Sequence, residues 1–176
     1  IELWTTDGTS AGTMLLKDIA TGANAWSPNS SYPQNFTVLA NGRAVFAASY
    51  GTDRKGLWVT DGTVAGTMLV KDGFYWDVFA VLPNGQAIFS DEDTTYGTEL
   101  WITDGTSAGT TLVKDIAPGV DASGRPNDSS PRDFAVLPNG QAVFQNSDQT
   151  HGTELWITDG TSAGTTLVKD IATVVD

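Results

Sequence analysis

One phrase occurs four times in the chain: ELWTTDGTSAGTMLLKDI from Glu2, LWVTDGTVAGTMLVKD from Leu57, and ELWITDGTSAGTTLVKDI from both Glu99 and Glu154. Residues 97–117 and 152–172 are identical, residue for residue. Close self-similarity of this kind limits the chain to folds that stack copies of one small unit. It also bears on function. A one-site enzyme needs a unique set of residues, whereas near-equal repeats present the same surface several times.

A second phrase precedes three of the copies: NFTVLANGRAVFAAS from Asn35, DVFAVLPNGQAIFSD from Asp77 and DFAVLPNGQAVFQNS from Asp133. Asn-Gly between two apolar runs predicts a hairpin with a type I′ turn, both central residues at positive φ. Residues 36–39 are then expected to pair with 43–47, 79–82 with 86–90, and 134–137 with 141–145. The DGT phrase reads as a second hairpin, with strand-like 99–103 returning as 111–115 through a Gly- and Thr-rich loop. No helical periodicity exceeds a turn. Each full unit is thus four short antiparallel strands, at 36–72, 79–116 and 134–171, and residues 2–19 form a half unit.

Four-stranded units of roughly 40–50 residues are the size of a β-propeller blade. The expected fold is therefore all-β, a propeller of about three and a half four-stranded antiparallel blades within a single repeat domain, 1–176. The repeated Trp4, Trp58, Trp101 and Trp156 are 54, 43 and 55 residues apart. The spread arises in the links between units, which are long after Ile19 and Ile116 and short after Asp72. Variable links between constant blocks mark exposed loops, where repeats differ and specificity resides. Three and a half blades leave a ring open, so the chain is expected to be part of a longer polypeptide or of a homo-oligomer or larger assembly.

Composition narrows the partners. The 176 residues carry a formal charge of −12 and only nine Lys and Arg. Phosphate binding needs clustered Lys and Arg, so nucleic acid and anionic membranes are poor partners. The absence of cysteine removes disulfides and thiolate chemistry. No apolar run approaches membrane-spanning length.

The ELW-x-TDGT-xx-GT-x-LVKDI phrase resembles a repeat of large bacterial secreted and surface proteins, of the hyalin-like, propeller type. The resemblance spans essentially the whole chain. It implies a propeller fold and an extracellular or cell-surface home, and little about ligand. The copy at Leu57 departs from the pattern, with Gly56 in place of the Glu and Gly73 in place of the Ile.

Candidate sites carry competing readings. Asp7, Asp61, Asp104 and Asp159 precede Gly in the repeated turn, where a carboxylate can accept from the backbone two residues on; a calcium ligand is the functional reading. Asp91, Glu92 and Asp93 form the densest acidic cluster and are the best calcium candidates. The repeated Trp residues suit packing between units, with a sugar-stacking platform as the alternative. Trp26, Tyr32, Tyr75 and Trp76 lie in the variable links and are the candidate ligand contacts. Glu2, Glu99 and Glu154 are expected to pair across the hairpin with Lys17, Lys114 and Lys169. His151, the only histidine, has no visible catalytic partner, and no catalytic residue is assigned. Asn29, Asn35 and Asn127 begin Asn-x-Ser/Thr matches in the long links.

The reading that follows is a non-catalytic, multivalent, lectin-like or adhesin-like module engaging a glycan or surface protein, with calcium as a candidate cofactor. The alternative is a structural scaffold docking through its open edges. A fragment of a propeller enzyme is the third.

Overall fold

The structure, a computed structural model, describes residues 1–23, 29–51, 54–73 and 79–171. The described residues contain fourteen strands and no helix. They fall into two compact units, 1–76 with 105–107, and 77–104 with 108–176.

The first unit holds a two-stranded sheet, β1 (Leu3–Thr5) with β2 (Met14–Lys17), and a four-stranded sheet. The latter runs in chain order through β3 (Gln34–Val38), β4 (Ala44–Ser49), β5 (Lys55–Thr60) and β6 (Met68–Asp72). The second unit repeats the four-stranded pattern twice. Its first sheet comprises β7 (Ala80–Val81), β8 (Ala87–Asp93), β9 (Gly97–Thr103) and β10 (Thr111–Lys114). Its second comprises β11 (Arg132–Val136), β12 (Ala142–Asp148), β13 (Gly152–Thr158) and β14 (Thr166–Lys169). Every pairing is antiparallel. The two phrases of the sequence are thus the first and second hairpins of one meander. Register is common to the three full sheets, which pair Phe46 with Trp58, Phe89 with Trp101 and Phe144 with Trp156.

The Asn-Gly hairpins form, but not through the expected turn. Positive φ outside glycine is confined, among the described residues, to Tyr32, Asn35, Ser130 and Asp133, so Asn41, Asn84 and Asn139 are right-handed. The Gly42 amide donates to the Leu39 carbonyl at 3.0 Å, and the Leu39 amide to the Arg43 carbonyl at 2.8 Å. This is a tight turn closed by one left-handed glycine, the three-residue loop with a bulge. The Asn side chain explains the preference, because Asn41 Oδ1 accepts from the Arg43 amide at 3.1 Å. Asn84 and Asn139 do the same for Gln86 and Gln141.

The DGT loop is a structural cap. Asp7 Oδ1 accepts from the backbone amide of Thr9 at 2.9 Å and its hydroxyl at 2.7 Å, and Asp61 and Asp159 repeat the pair. The Thr hydroxyl bond, foremost, holds these three carboxyls below their ordinary value. A Thr–Thr hydroxyl contact of 2.7 Å clamps all four loops, Thr6–Thr13, Thr60–Thr67, Thr103–Thr110 and Thr158–Thr165. The second glycine of the phrase is fixed by space, since a Cβ on Gly12, Gly66, Gly109 or Gly164 would fall on the preceding Asp carboxylate.

Core packing follows the sheet faces. In the first unit Leu3 and Ile19 pack with Phe46, Ala48 and Trp58. In the second, Leu100, Ile102, Val113 and Ile116 pack with Ala142, Phe144 and Trp156. A fully buried side chain of this size contributes roughly 1.5–3 kcal/mol. Trp58, Trp101 and Trp156 are buried, as packing predicts, while Trp4 is 59% exposed.

The expected Glu–Lys cross-strand pairs are overturned. Lys17 Nζ reaches forward to the next sheet, donating to the Thr67 carbonyl at 2.5 Å above the Trp58 ring. Lys114 does the same to the Thr165 carbonyl, at 2.7 Å, above Trp156. The glutamates instead cap backbone. Glu2 Oε2 accepts from the amides of Ile19 and Ala20, and Glu99 accepts from those of Ile116 and Ala117. An unmet amide after the last strand costs more than an exposed ion pair returns, which accounts for the choice.

Candidate functional site

The link after β10 is pinned at both ends. Asn127 donates from its backbone to the Gly119 carbonyl at 3.1 Å and from Nδ2 to the Pro118 carbonyl at 3.2 Å. Asn29 makes the matching pair to Gly22 and Thr21 in the first unit. The tip at 121–125 is a tight turn, with Asp121 Oδ1 accepting from the Ser123 hydroxyl and from the amides of Ser123 and Arg125. These bonds hold the Asp121 carboxyl below its ordinary value.

The tip stands over the turn between β8 and β9 and encloses a cleft of about 330 Å³ lined by Glu92, Asp93, Thr94, Gly97, Gly124, Arg125, Pro126 and Asp128. Gly97 sets the closeness of the two segments. It has φ +72°, and a Cβ there would meet the Asn127 carbonyl and Asp128. Asp128 Oδ1 accepts from the Thr98 amide at 2.6 Å, which ties the link to the start of β9. Asp93 Oδ1 accepts from the Thr95 and Tyr96 amides at 2.7 Å. Glu92 and Arg125 are exposed. The cleft therefore offers carboxylate acceptors and a planar five-donor guanidinium, suited to hydroxyl-rich or charged small ligands. Tyr96, beside Gly97, is 38% exposed.

The acidic triplet does not converge. Successive strand residues point to opposite faces. Asp91 is buried at 1% exposure while Glu92 is exposed, and Asp93 serves its own turn. Among the described residues no group of three or more His, Asp or Glu side chains could hold a metal ion.

Tyr32 is 54% exposed at φ 45°, in the place that Ser130 takes at φ 50° in the second long link. An aromatic side chain held in this left-handed conformation is unusual. Trp26, Tyr75 and Trp76 lie outside the described residues. The sequence reading missed Arg125, Asp128 and Tyr96. Each looks ordinary in a polar stretch, and only the folding of the 121–128 tip over Gly97 assembles the cleft. The available signal was the long link itself together with Gly97.

His151 occupies the place of Tyr96 in the last sheet. Its Nδ1 lies 2.8 Å from Asp148 Oδ2, and that bond raises its pKa above the ordinary value. Burial pushes the Asp148 carboxyl up, but the bonds from His151 and the Thr150 amide outweigh it and leave the pKa lowered.

No protein-family model matches the chain, and no curated protein matches it. Among solved structures the chain is similar to the one titled "Crystal structure of putative exo-beta-1,3-galactanase from Bifidobacterium bifidum s17". The TM-score is 0.43 at 16% identity, over 87% of this chain and 56% of that one. The chain thus spans little more than half the length of that protein.

Proposed function

We infer that the chain is a non-catalytic, extracellular binding module whose sheets are blades of a propeller, and that it engages glycans through its links. The observation that carries this reading is the cleft of Glu92, Asp93, Arg125 and Asp128, built where the repeats differ. The repeated acids that might suggest hydrolysis, Asp7, Asp61, Asp159, Glu2 and Glu99, are engaged in holding turns and strand ends. In the cleft, sugar hydroxyls are met by carboxylate and guanidinium groups and the sugar face by the exposed Tyr96 beside it, while Tyr32 offers a separate aromatic contact on the first link. Contacts from more than one link raise avidity without any single contact being strong, which suits an adhesin or lectin.

The test is glycan-array binding followed by titration of the best hit, with and without calcium. Arg125→Ala is expected to weaken cleft binding about tenfold, and Tyr32→Ser, which copies the Ser130 link, to weaken contact with the first link while leaving the fold intact. An absence of glycan binding by folded protein, or affinity unmoved by both substitutions, would overturn the reading.

A further inference from the structure

We propose that Asn84 and Asn139 are sites of spontaneous deamidation, and that the glutamine two positions after each sets the rate by pinning the asparagine amide. Both lie in the second unit, in Pro-Asn-Gly-Gln turns where the asparagine is exposed. Asn-Gly is open to this chemistry because glycine has no side chain to shield its own backbone nitrogen. That nitrogen, after losing its proton to solvent base, attacks Cγ of the asparagine. A bond forms from nitrogen to Cγ and the bond from Cγ to Nδ2 breaks. The leaving nitrogen takes a proton from water and departs as ammonia. Water then opens the cyclic imide to aspartate or isoaspartate.

Each polar atom of that step is engaged in the folded turn. The attacking nitrogen donates to a carbonyl three residues back, Gly85 to Leu82 at 2.8 Å and Gly140 to Leu137 at 3.0 Å. The oxygen on the target carbon accepts from the backbone amide of the glutamine, at 3.0 Å for Asn84 and 3.1 Å for Asn139. The leaving nitrogen donates to the glutamine side-chain oxygen, at 2.8 Å from Asn84 to Gln86 and 2.9 Å from Asn139 to Gln141. Closing the imide requires the side chain to swing against the glycine nitrogen and the backbone to leave the right-handed turn. The bonds from the glycine amide and from Nδ2 must therefore be given up first, in a local opening. Two of the three bonds come with the turn itself. The third depends on the identity of the glutamine side chain, which alone among neutral amides and cations of its length offers Nδ2 an oxygen.

The two turns abut, since a Cβ on Gly140 would lie 3.6 Å from Pro83 Cγ. Isoaspartate adds a methylene to the backbone and a negative charge, so conversion at one turn would loosen its hairpin directly beside the other. The DGT loops tie down the amides of their own Asp-Gly bonds in the same way, with Gly8, Gly62 and Gly160 each donating to the Thr hydroxyl two residues back at 3.0 Å. The proposal is independent of glycan binding at the cleft.

The experiment incubates the whole folded chain, and a synthetic peptide copying residues 135–144, at neutral pH and body temperature. Peptide mapping by mass spectrometry follows aspartate and isoaspartate at each turn. An isolated hairpin is barely ordered in water, so Asn139 is expected to convert roughly tenfold or more faster in the peptide than in the chain. Gln141→Leu keeps the backbone amide but removes the side-chain acceptor. It is expected to speed Asn139 about fivefold, the effect of one hydrogen bond on a local opening, while Asn84 in the same molecule keeps its rate. Gln141→Glu restores an oxygen acceptor and is expected to return Asn139 close to the native rate. Equal rates in chain and peptide, an Asn139 rate indifferent to Gln141→Leu or left fast by Gln141→Glu, or equal acceleration at Asn84, the mark of general unfolding, would overturn the proposal.

Discussion

Glu99 makes the stability of this chain depend on pH in a window where carboxylates are ordinarily silent. Its side chain has no exposed surface. Burial raises its pKa from 4.5 to about 7, against the bonds from Ser129, Ile116 and Ala117 that favour the ionised form. A carboxyl raised in this way binds its proton more tightly when folded. The stabilisation is complete below pH 4.5 and is lost as pH rises to about 7. At 1.36 kcal/mol per pH unit the separation corresponds to about 3 kcal/mol. Glu99→Gln removes the titration; it keeps a single acceptor oxygen and turns its NH2 toward either the Ile116 or the Ala117 amide, which bond to different carboxylate oxygens, a cost that does not vary with pH. His151, whose pKa is also raised, loses stabilisation in the same direction, but it is present in both proteins and cancels in the difference. The measurement is urea unfolding of both proteins by tryptophan fluorescence from pH 5 to pH 8. The stability advantage of the native chain over the variant is expected to fall by roughly 2–3 kcal/mol across that range. A difference constant to within about 0.5 kcal/mol, the usual scatter of such comparisons, would refute the argument from burial.

Two further outcomes follow from the repeat geometry. Gly56→Glu restores the residue found in the other three repeats, yet it is expected to destabilise the chain by about 1–3 kcal/mol in urea unfolding, because a Cβ there meets Leu69, the Tyr50 ring and the Lys71 carbonyl. Lys114→Met keeps the apolar stem over Trp156 but loses the ammonium, and is expected to cost about 1–2 kcal/mol in thermal or urea unfolding.

Much of the fold was legible because its signals are local. The Asn-Gly pairs, the Thr-rich DGT loop and the alternating Trp strands each specify a hairpin within a few residues, and the structure contains all of them. The error over the Asn-Gly turn is equally local: Asn41 uses its side chain to cap Arg43 rather than its backbone to enter the left-handed region. The roles of Glu and Lys were misread because their partners are far away. Lys17 bonds to Thr67, 50 residues on, and Glu2 to Ser31, 29 residues on. Opposite charges nearby in sequence suggested a pair; buried backbone groups distant in sequence claimed both side chains. The cleft was illegible for the same reason, since Gly97 and Asp128 meet only after the link has folded back.

The odd repeat makes the linkage between Glu and Ser explicit. Glu2 and Glu99 are followed by long links that deliver Ser31 and Ser129 to them. The repeat with Gly56 is followed by the short link, which contains no serine between Asp72 and Phe79. There Tyr50, Arg54 and Asp72 join instead: Tyr50 and Arg54 both donate to the Asp72 carboxylate, with the Arg54 guanidinium stacked over the Tyr50 ring. A buried carboxylate without its serine would carry a desolvation cost with one fewer compensating bond, so loss of the link and loss of the glutamate belong together. The glutamate is thus the receiving half of a two-part device whose other half is the link.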